Sequence, residues 1–271
     1  MNGMDQKTYL QVMKPPKICW DDNADFYNMM AMMELEYTEP QLDCLDIQPT
    51  DTVLDIGCGP GRISTLAAKR ARSVTSLDSA PKMLAHCAAN AARMGVADKI
   101  HTVNMDWFDV KPGMDVGKHD IVIASRTEAM SDIDGITALA NKYAAIVIWA
   151  NAPSIPELIG VLFKGCLPED GKPPMRPPMG RANGYNGFFN NIYNLGYDPS
   201  VKVMTDGFTK RFGGEDEAVA YLRKLQPGMP EDKLPLFAAN LRTYLTRDAG
   251  GAVVFRIETR TCVIWWAPEK G

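Results

Sequence analysis

Between residues 51 and 153 short apolar runs alternate with amphipathic stretches. TVLDI (52–56), SVTSLD (73–78), KIHTVNMD (99–106), DIVIAS (120–125) and YAAIVIWA (143–150) read as strands. Helical spacing follows the first run over 62–71, the second from Pro81 to near Gly95, and the fourth over 133–142. Ser79 is placed to cap the second of these helices, and Pro81 suits its first turn. Near-continuous apolar strands separated by helices predict a parallel sheet covered on both faces, hence a doubly wound α/β core.

The flanks keep a different rhythm. Residues 1–50 form a helical lead-in, in which Asp21, Asp22 and Asn23 precede a helix through Phe26, Met29, Met30, Met33 and Tyr37. Pro40 and Pro49 punctuate the approach to the first strand. Residues 154–200 are dense in Pro, Gly, Asn and aromatics, too long for a plain connection, and read as a cap-like insertion over a substrate. Residues 201–271 return to strand character at VKVMTDGFTKRF, continue through two helical stretches, and end in GAVVFRIETRTCVIWWAP, two β runs around Glu258, Thr259 and Arg260.

Directly after the first run stands GCGPGR, with Gly57, Gly59 and Gly61 in five positions. Glycines at the carboxyl end of a parallel strand permit left-handed backbone angles and let a ligand touch the main chain. Carboxylates stand at the ends of three successive strands: Asp55, Asp78 and Asp106, the last followed by Trp107. An acidic residue about 20 positions beyond the glycines suits ribose hydroxyls. The spacing is GxGxG, and Arg62 occupies the position where a dinucleotide fingerprint needs a small residue.

Charge and cysteines narrow the field. The 271 residues carry 29 basic and 33 acidic side chains, a net charge of −4, so no overall basic field favours nucleic acid or an anionic membrane. Six scattered cysteines form no CxxC pair and predict reduced thiols in a cytoplasmic protein. MNGMDQKTYLQVMKPPK lacks the apolar core of a signal peptide, and no apolar run approaches the roughly 20 residues of a membrane span. His86, His101 and His119 have no metal-ligand spacing, so no metal is expected.

VLDIGCGPGR, SLDSAPKML and NMDWFD, in that order, resemble the first three signature segments of class I S-adenosylmethionine-dependent methyltransferases. The resemblance covers about residues 51–150. It implies a Rossmann-like, mostly parallel seven-stranded sheet with an antiparallel last strand, supplied here by TCVIWWAP. It also implies S-adenosylmethionine as cofactor, with S-adenosylhomocysteine as product. By that likeness Gly57, Gly59 and Gly61 line the methionine part, with Asp55 linked to its amino group. Asp78 holds the ribose, Ser79 and Met83 border the adenine, Asp106 binds the adenine amino group with Trp107 stacked nearby, and Ser125 faces the methionine portion.

Methyl transfer from a sulfonium needs alignment above all, so no catalytic residue is assigned. The fourth strand is followed by Arg126 and Glu128, candidates for a carboxylate clamp and a base, and not by the Asn/Asp-Pro-Pro-aromatic motif of base N-methylating enzymes. Trp20 and Tyr193 are candidate pocket walls. A small-molecule acceptor is expected, with no nucleic-acid or membrane partner. Two alternatives keep the fold: a nicotinamide-dependent oxidoreductase and a non-catalytic cofactor-binding module.

Overall fold

The computed structural model of the chain describes residues 19–150, 155–167 and 184–271. The start of the lead-in and most of the proline-rich part of the cap-like insertion lie outside these residues. The chain divides into two compact units, one of residues 1–28 with 48–144 and one of residues 29–47 with 145–271.

In the first unit, β1 (Thr52–Ile56), β2 (Ser73–Asp78), β3 (Ile100–Asn104) and β4 (His119–Ser125) are parallel in the order β3-β2-β1-β4. Their order reverses between β1 and β4, which places a ligand crevice at the carboxyl ends of those two strands. Leu54, Ile56, Ile121 and Ile123 are completely buried. Each such side chain contributes about 1.5–3 kcal/mol. Among the helices, α1 (Ala24–Met33) and α2 (Leu35–Leu42) come from the lead-in, while α3 (Arg62–Arg70) joins β1 to β2 and α4 (Pro81–Arg93) joins β2 to β3. The single expected lead-in helix is thus two, interrupted at Glu34, and Pro40 lies inside the second instead of ending it.

The helix expected over 133–142 is shorter. Asp132 caps α5 (Ile133–Ala138), its Oδ1 accepting from Gly135 N–H at 3.1 Å, and β5 already begins at Ala140 (Ala140–Trp149). Strand pairing claims Leu139, whose carbonyl accepts from His119 N–H at 2.9 Å. Tertiary pairing outweighs the helical preference of the Ala-Leu-Ala stretch.

In the second unit, β6 (Ser200–Phe212) pairs antiparallel along its whole length with β8 (Val253–Trp266), and β7 (Leu245–Arg247) adds a short antiparallel strand to β8. The mixed, mostly parallel sheet with an antiparallel last strand is the expected fold class, with β7 as an eighth strand. No turn forms at Glu258, Thr259 and Arg260; they sit mid-strand opposite Gly207, Asp206 and Thr205. Arg256, Glu258 and Arg260 are exposed while Ile257, Thr259 and Thr261 are buried, the period-two alternation of a strand with one wet face. Helices α6 (Ile155–Leu162), α7 (Tyr185–Asn194), α8 (Glu215–Leu222) and α9 (Leu234–Arg242) complete the unit. The segment Tyr185–Asn194, part of the stretch expected to form a cap-like insertion, is helical with Ile192 fully buried, despite poor Asn and Gly propensities. Met30 and Met33 pack with Leu158, Ile159, Phe208 and Phe255 as core.

Gly207 marks the tightest point of this sheet: an added Cβ would collide with the Ile257 carbonyl oxygen and lie 3.2 Å from the Tyr37 ring. Gly207→Ala is expected to lower unfolding free energy by about 1–3 kcal/mol, read as a fall in urea midpoint.

Candidate functional site

The turn after β1 holds three left-handed glycines, Gly57 at φ 65°, Gly59 at 54° and Gly61 at 86°. Their missing side chains face different things. A Cβ on Gly57 would lie 2.6 Å from Thr127 Cβ, and one on Gly61 would lie 2.7 Å from Cys87 Sγ, while nothing stands within 4 Å of one on Gly59. Gly57 and Gly61 are therefore demanded by packing as well as by φ. Gly59 alone presents bare backbone to open space.

Asp78, at the end of β2, ties this turn to the start of α4. Its Oδ2 accepts from Gly59 N–H at 2.8 Å and its Oδ1 from Ala80 N–H at 2.9 Å. Burial pushes its pKa up despite those donors. Ser79 is exposed and caps nothing; the N-cap position is Ala80, and the carboxylate two residues earlier serves the turn in its place. Met83 is buried in a cluster with Ala24 and Ala80, against which Trp20 and Tyr27 pack, their rings edge to face at 5.4 Å.

Asp55 is 1% exposed. Its Oδ2 accepts from Ser64 Oγ at 2.6 Å, and Ser76 Oγ donates in turn to Ser64 Oγ at 2.7 Å. Its Oδ1 is buried with no hydrogen-bond partner. Desolvation raises its pKa to about 6, outweighing the Ser64 hydrogen bond and the Arg62 guanidinium. Arg62, itself buried, donates from Nη2 to Ser125 Oγ at 2.8 Å, joining the first turn of α3 to the end of β4.

Past β3, Asp106 is exposed and its Oδ1 accepts from Phe108 N–H at 3.0 Å. Trp107 is turned inward, 8% exposed, its Nε1 donating to Asp132 Oδ2 at 3.1 Å. The ring open to solvent here is that of Phe108, 60% exposed. Arg126 stands just past β4 at φ 55°, a left-handed angle rare for a long side chain, and Glu128 is exposed at the start of a short 3-10 turn. Tyr193 belongs to α7 of the second unit and is largely exposed.

The first unit thus brings together Asp55, the three glycines, Asp78 and Met83, with Arg62 fixing Ser125 at the end of β4. Thr127, Ser64 and Asp132 belong to the same framework and escaped sequence reading, because single hydroxyls and turn carboxylates carry no motif. Among the described residues no group of three His, Cys, Asp or Glu side chains is placed to hold a metal, and no helix is long and apolar enough to cross a membrane.

Comparison with known proteins points to the same segment. Residues 53–146 match a family model described as a methyltransferase domain. A 23S rRNA (uracil(1939)-C(5))-methyltransferase of Photobacterium angustum is 35% identical over 30% of this chain and 38% of its own length. A probable cobalt-precorrin-6B C(15)-methyltransferase (decarboxylating) of Methanobrevibacter smithii is 27% identical over 38% of this chain and 56% of its own. The chain therefore spans less than two thirds of these relatives. The crystal structure of YjhP from E. coli shares the fold at a TM-score of 0.50, 15% identity, 93% coverage of this chain and 99% of that one.

Because the folded pKa of Asp55, about 6, exceeds an ordinary aspartate's 3.8, the folded state holds this proton more tightly than the unfolded chain. Its contribution is fully present below pH 3.8 and is lost as pH rises through 6. By linkage the loss is about 3 kcal/mol. Urea denaturation at pH 4 and pH 7 is expected to show about 2 kcal/mol less loss of stability in Asp55→Asn than in the wild type, because part of the loss already falls below pH 4; parallel pH profiles would contradict it.

Proposed function

We propose, on the premise that the chain belongs through residues 53–146 to the class I S-adenosylmethionine-dependent methyltransferases, that it transfers a methyl group to a small-molecule acceptor. The bare backbone of Gly59, together with a buried carboxylate oxygen of Asp55 that lacks a partner, carries the reading. An orphaned buried oxygen of that kind costs about 1–3 kcal/mol, and a ligand ammonium would satisfy it. The residues present fit the cofactor. When bound, S-adenosylmethionine supplies a methyl carbon on a sulfonium, open to in-line displacement.

Asp55 Oδ1 would accept from the cofactor's amino group. Asp78 uses each carboxylate oxygen once toward the backbone and retains lone pairs for a ribose diol. Met83, with Trp20 and Tyr27 packed on its cluster, would wall the adenine. Asp106 stands exposed past β3 with one oxygen free of the Phe108 bond. Holding the reactants in line contributes about 7–11 kcal/mol to lowering the barrier. Arg126 would bind an acceptor carboxylate and Glu128 would take its proton where the nucleophile must lose one.

The acidic balance of the chain, −4 overall, supports a small acceptor over a polyanion. Free cysteines throughout the described residues support a cytoplasmic setting. The relatives named above act on RNA and on a precorrin, so the acceptor test sets small acids and amines against bulk RNA and protein, with transfer of labelled methyl as the readout.

Calorimetry on the full chain is expected to show micromolar binding of S-adenosylmethionine and S-adenosylhomocysteine and none of NAD. Asp78→Ala is expected to weaken cofactor binding about 10- to 100-fold, the loss of hydrogen bonds to a charged acceptor, with circular dichroism as the folding control. Binding of NAD alone would overturn the reading.

A further inference from the structure

Two thiols lie at the glycine turn and have no part in the chemistry above. Cys58 is within the turn and Cys87 is on α4; with Leu84 they form one buried cluster against which Ile100 packs. Cys87 is completely buried and Cys58 is 7% exposed. Cys58 Sγ donates to Gly59 O at 3.5 Å and lies in hydrogen-bond reach of Cys87; that contact and burial push the Cys58 thiol well above its usual range, while the same contact, with the hydroxyls of Ser76 and Ser64 in reach, lowers Cys87. Cys87 Sγ lies so close to Gly61 that a Cβ there would come within 2.7 Å. Asn90, one turn along α4, donates from Nδ2 to Pro60 O at 2.8 Å. The other described cysteines show no such pairing with a glycine turn.

We propose that Cys58 and Cys87 are a redox couple, converted by hydrogen peroxide into a disulfide that draws the glycine turn onto α4. Cys87 first passes its proton through Ser76 and Ser64 to Asp55, along the hydrogen bonds that already end on Asp55 Oδ2. Cys58, the sulfur nearer to solvent, hands its own proton to the Cys87 thiolate, attacks the peroxide as a thiolate and breaks its O–O bond. The displaced hydroxide takes the proton back from Cys87 and leaves as water, and Cys58 becomes a sulfenic acid. The Cys87 thiolate then attacks the Cys58 sulfur, forms the S–S bond and expels hydroxide, which recovers the first proton from Asp55 as a second water. Two thiols and one peroxide thus give one disulfide and two waters.

A disulfide needs its sulfurs about 2.05 Å apart, well inside hydrogen-bond contact. Closing that gap moves a turn fixed by Asp78 at Gly59 and by Asn90 at Pro60. The effect on cofactor affinity rests on the function proposed above; the couple itself does not.

The test treats the full chain with hydrogen peroxide and reads intact mass and peptide linkage. A loss of two hydrogens with Cys58 linked to Cys87, absent in Cys58→Ser and in Cys87→Ser but retained in Cys44→Ser, is the expected result. Stable sulfenic or sulfinic acid without linkage, linkage to another cysteine, or no reaction would overturn it. The dissociation constant for S-adenosylmethionine is expected to rise about tenfold on oxidation and to recover with dithiothreitol. Linkage with unchanged affinity would overturn the movement of the turn. Linkage in a chain whose reduced form never binds S-adenosylmethionine would leave the couple standing and overturn the methyltransferase reading.

Discussion

Everything in the first unit depends on holding three left-handed residues in a five-residue turn. Such a turn has no regular hydrogen-bond ladder, so its shape must be imposed by neighbours. Gly57 and Cys58 both donate their N–H to Leu77 O, at 2.8 and 3.0 Å, which fastens the start of the turn to β2. Asp78 fastens Gly59, Asn90 fastens Pro60, and Cys87 closes the space behind Gly61. With the rear of the turn filled, Gly59 alone of the three glycines leaves its open side to space. A surface loop becomes a rigid cradle because a helix is moulded to its back.

The same rigidity explains a buried carboxylate that no cation neutralises outright. Asp55 sits in the middle of the sheet, where desolvation penalises its charge, and its compensation is a short chain of hydroxyls from α3 and β2. A hydroxyl chain stabilises one oxygen and leaves the other for a ligand. Arg62 pulls its pKa down and at the same time grips Ser125. One guanidinium thus biases the charge at the end of β1 and fixes the end of β4, the two strands that border the crevice.

The sequence disclosed what the backbone must do, and less of what side chains do to one another. Apolar runs at 52–56, 73–78 and 120–125 are strands because their residues are buried on both faces, a strong and local signal. Gly57, Gly59, Gly61 and Asp78 were legible for the same reason, since left-handed angles and strand-end carboxylates have positional signatures. Trp107 was visible as an aromatic after a strand, but its inward turn depends on Asp132, 25 residues away, and Phe108 takes the exposed place. The mid-strand position of Glu258, Thr259 and Arg260 was hidden because three polar residues in a row imitate a turn. Only pairing with β6 shows that their alternation is that of a half-wet strand.

The start of α4 shows how distant segments supply what local sequence lacks. Ala80 offers no capping oxygen, and Ser79 faces solvent. The free N–H groups of the first turn are met instead by Asp78 at Ala80 and by Asp21, whose Oδ1 accepts from Lys82 N–H at 2.9 Å. Farther along, His86 Nε2 lies 2.8 Å from Asp25 Oδ1, and Asn90 Nδ2 donates to Asn28 Oδ1 at 2.8 Å. Residues 21, 25 and 28 share one helical stripe and meet 82, 86 and 90 on another, so each contact fixes the register of the next. The exposed pairs contribute little individually. Their joint effect is geometric: they lay Trp20 and Tyr27 against the Met83 cluster and hold α4 by its outer face. On its inner face the same helix supports the glycine turn. A ligand that tightens the turn therefore acts on α4, and through α4 on the aromatic segment that borders Met83.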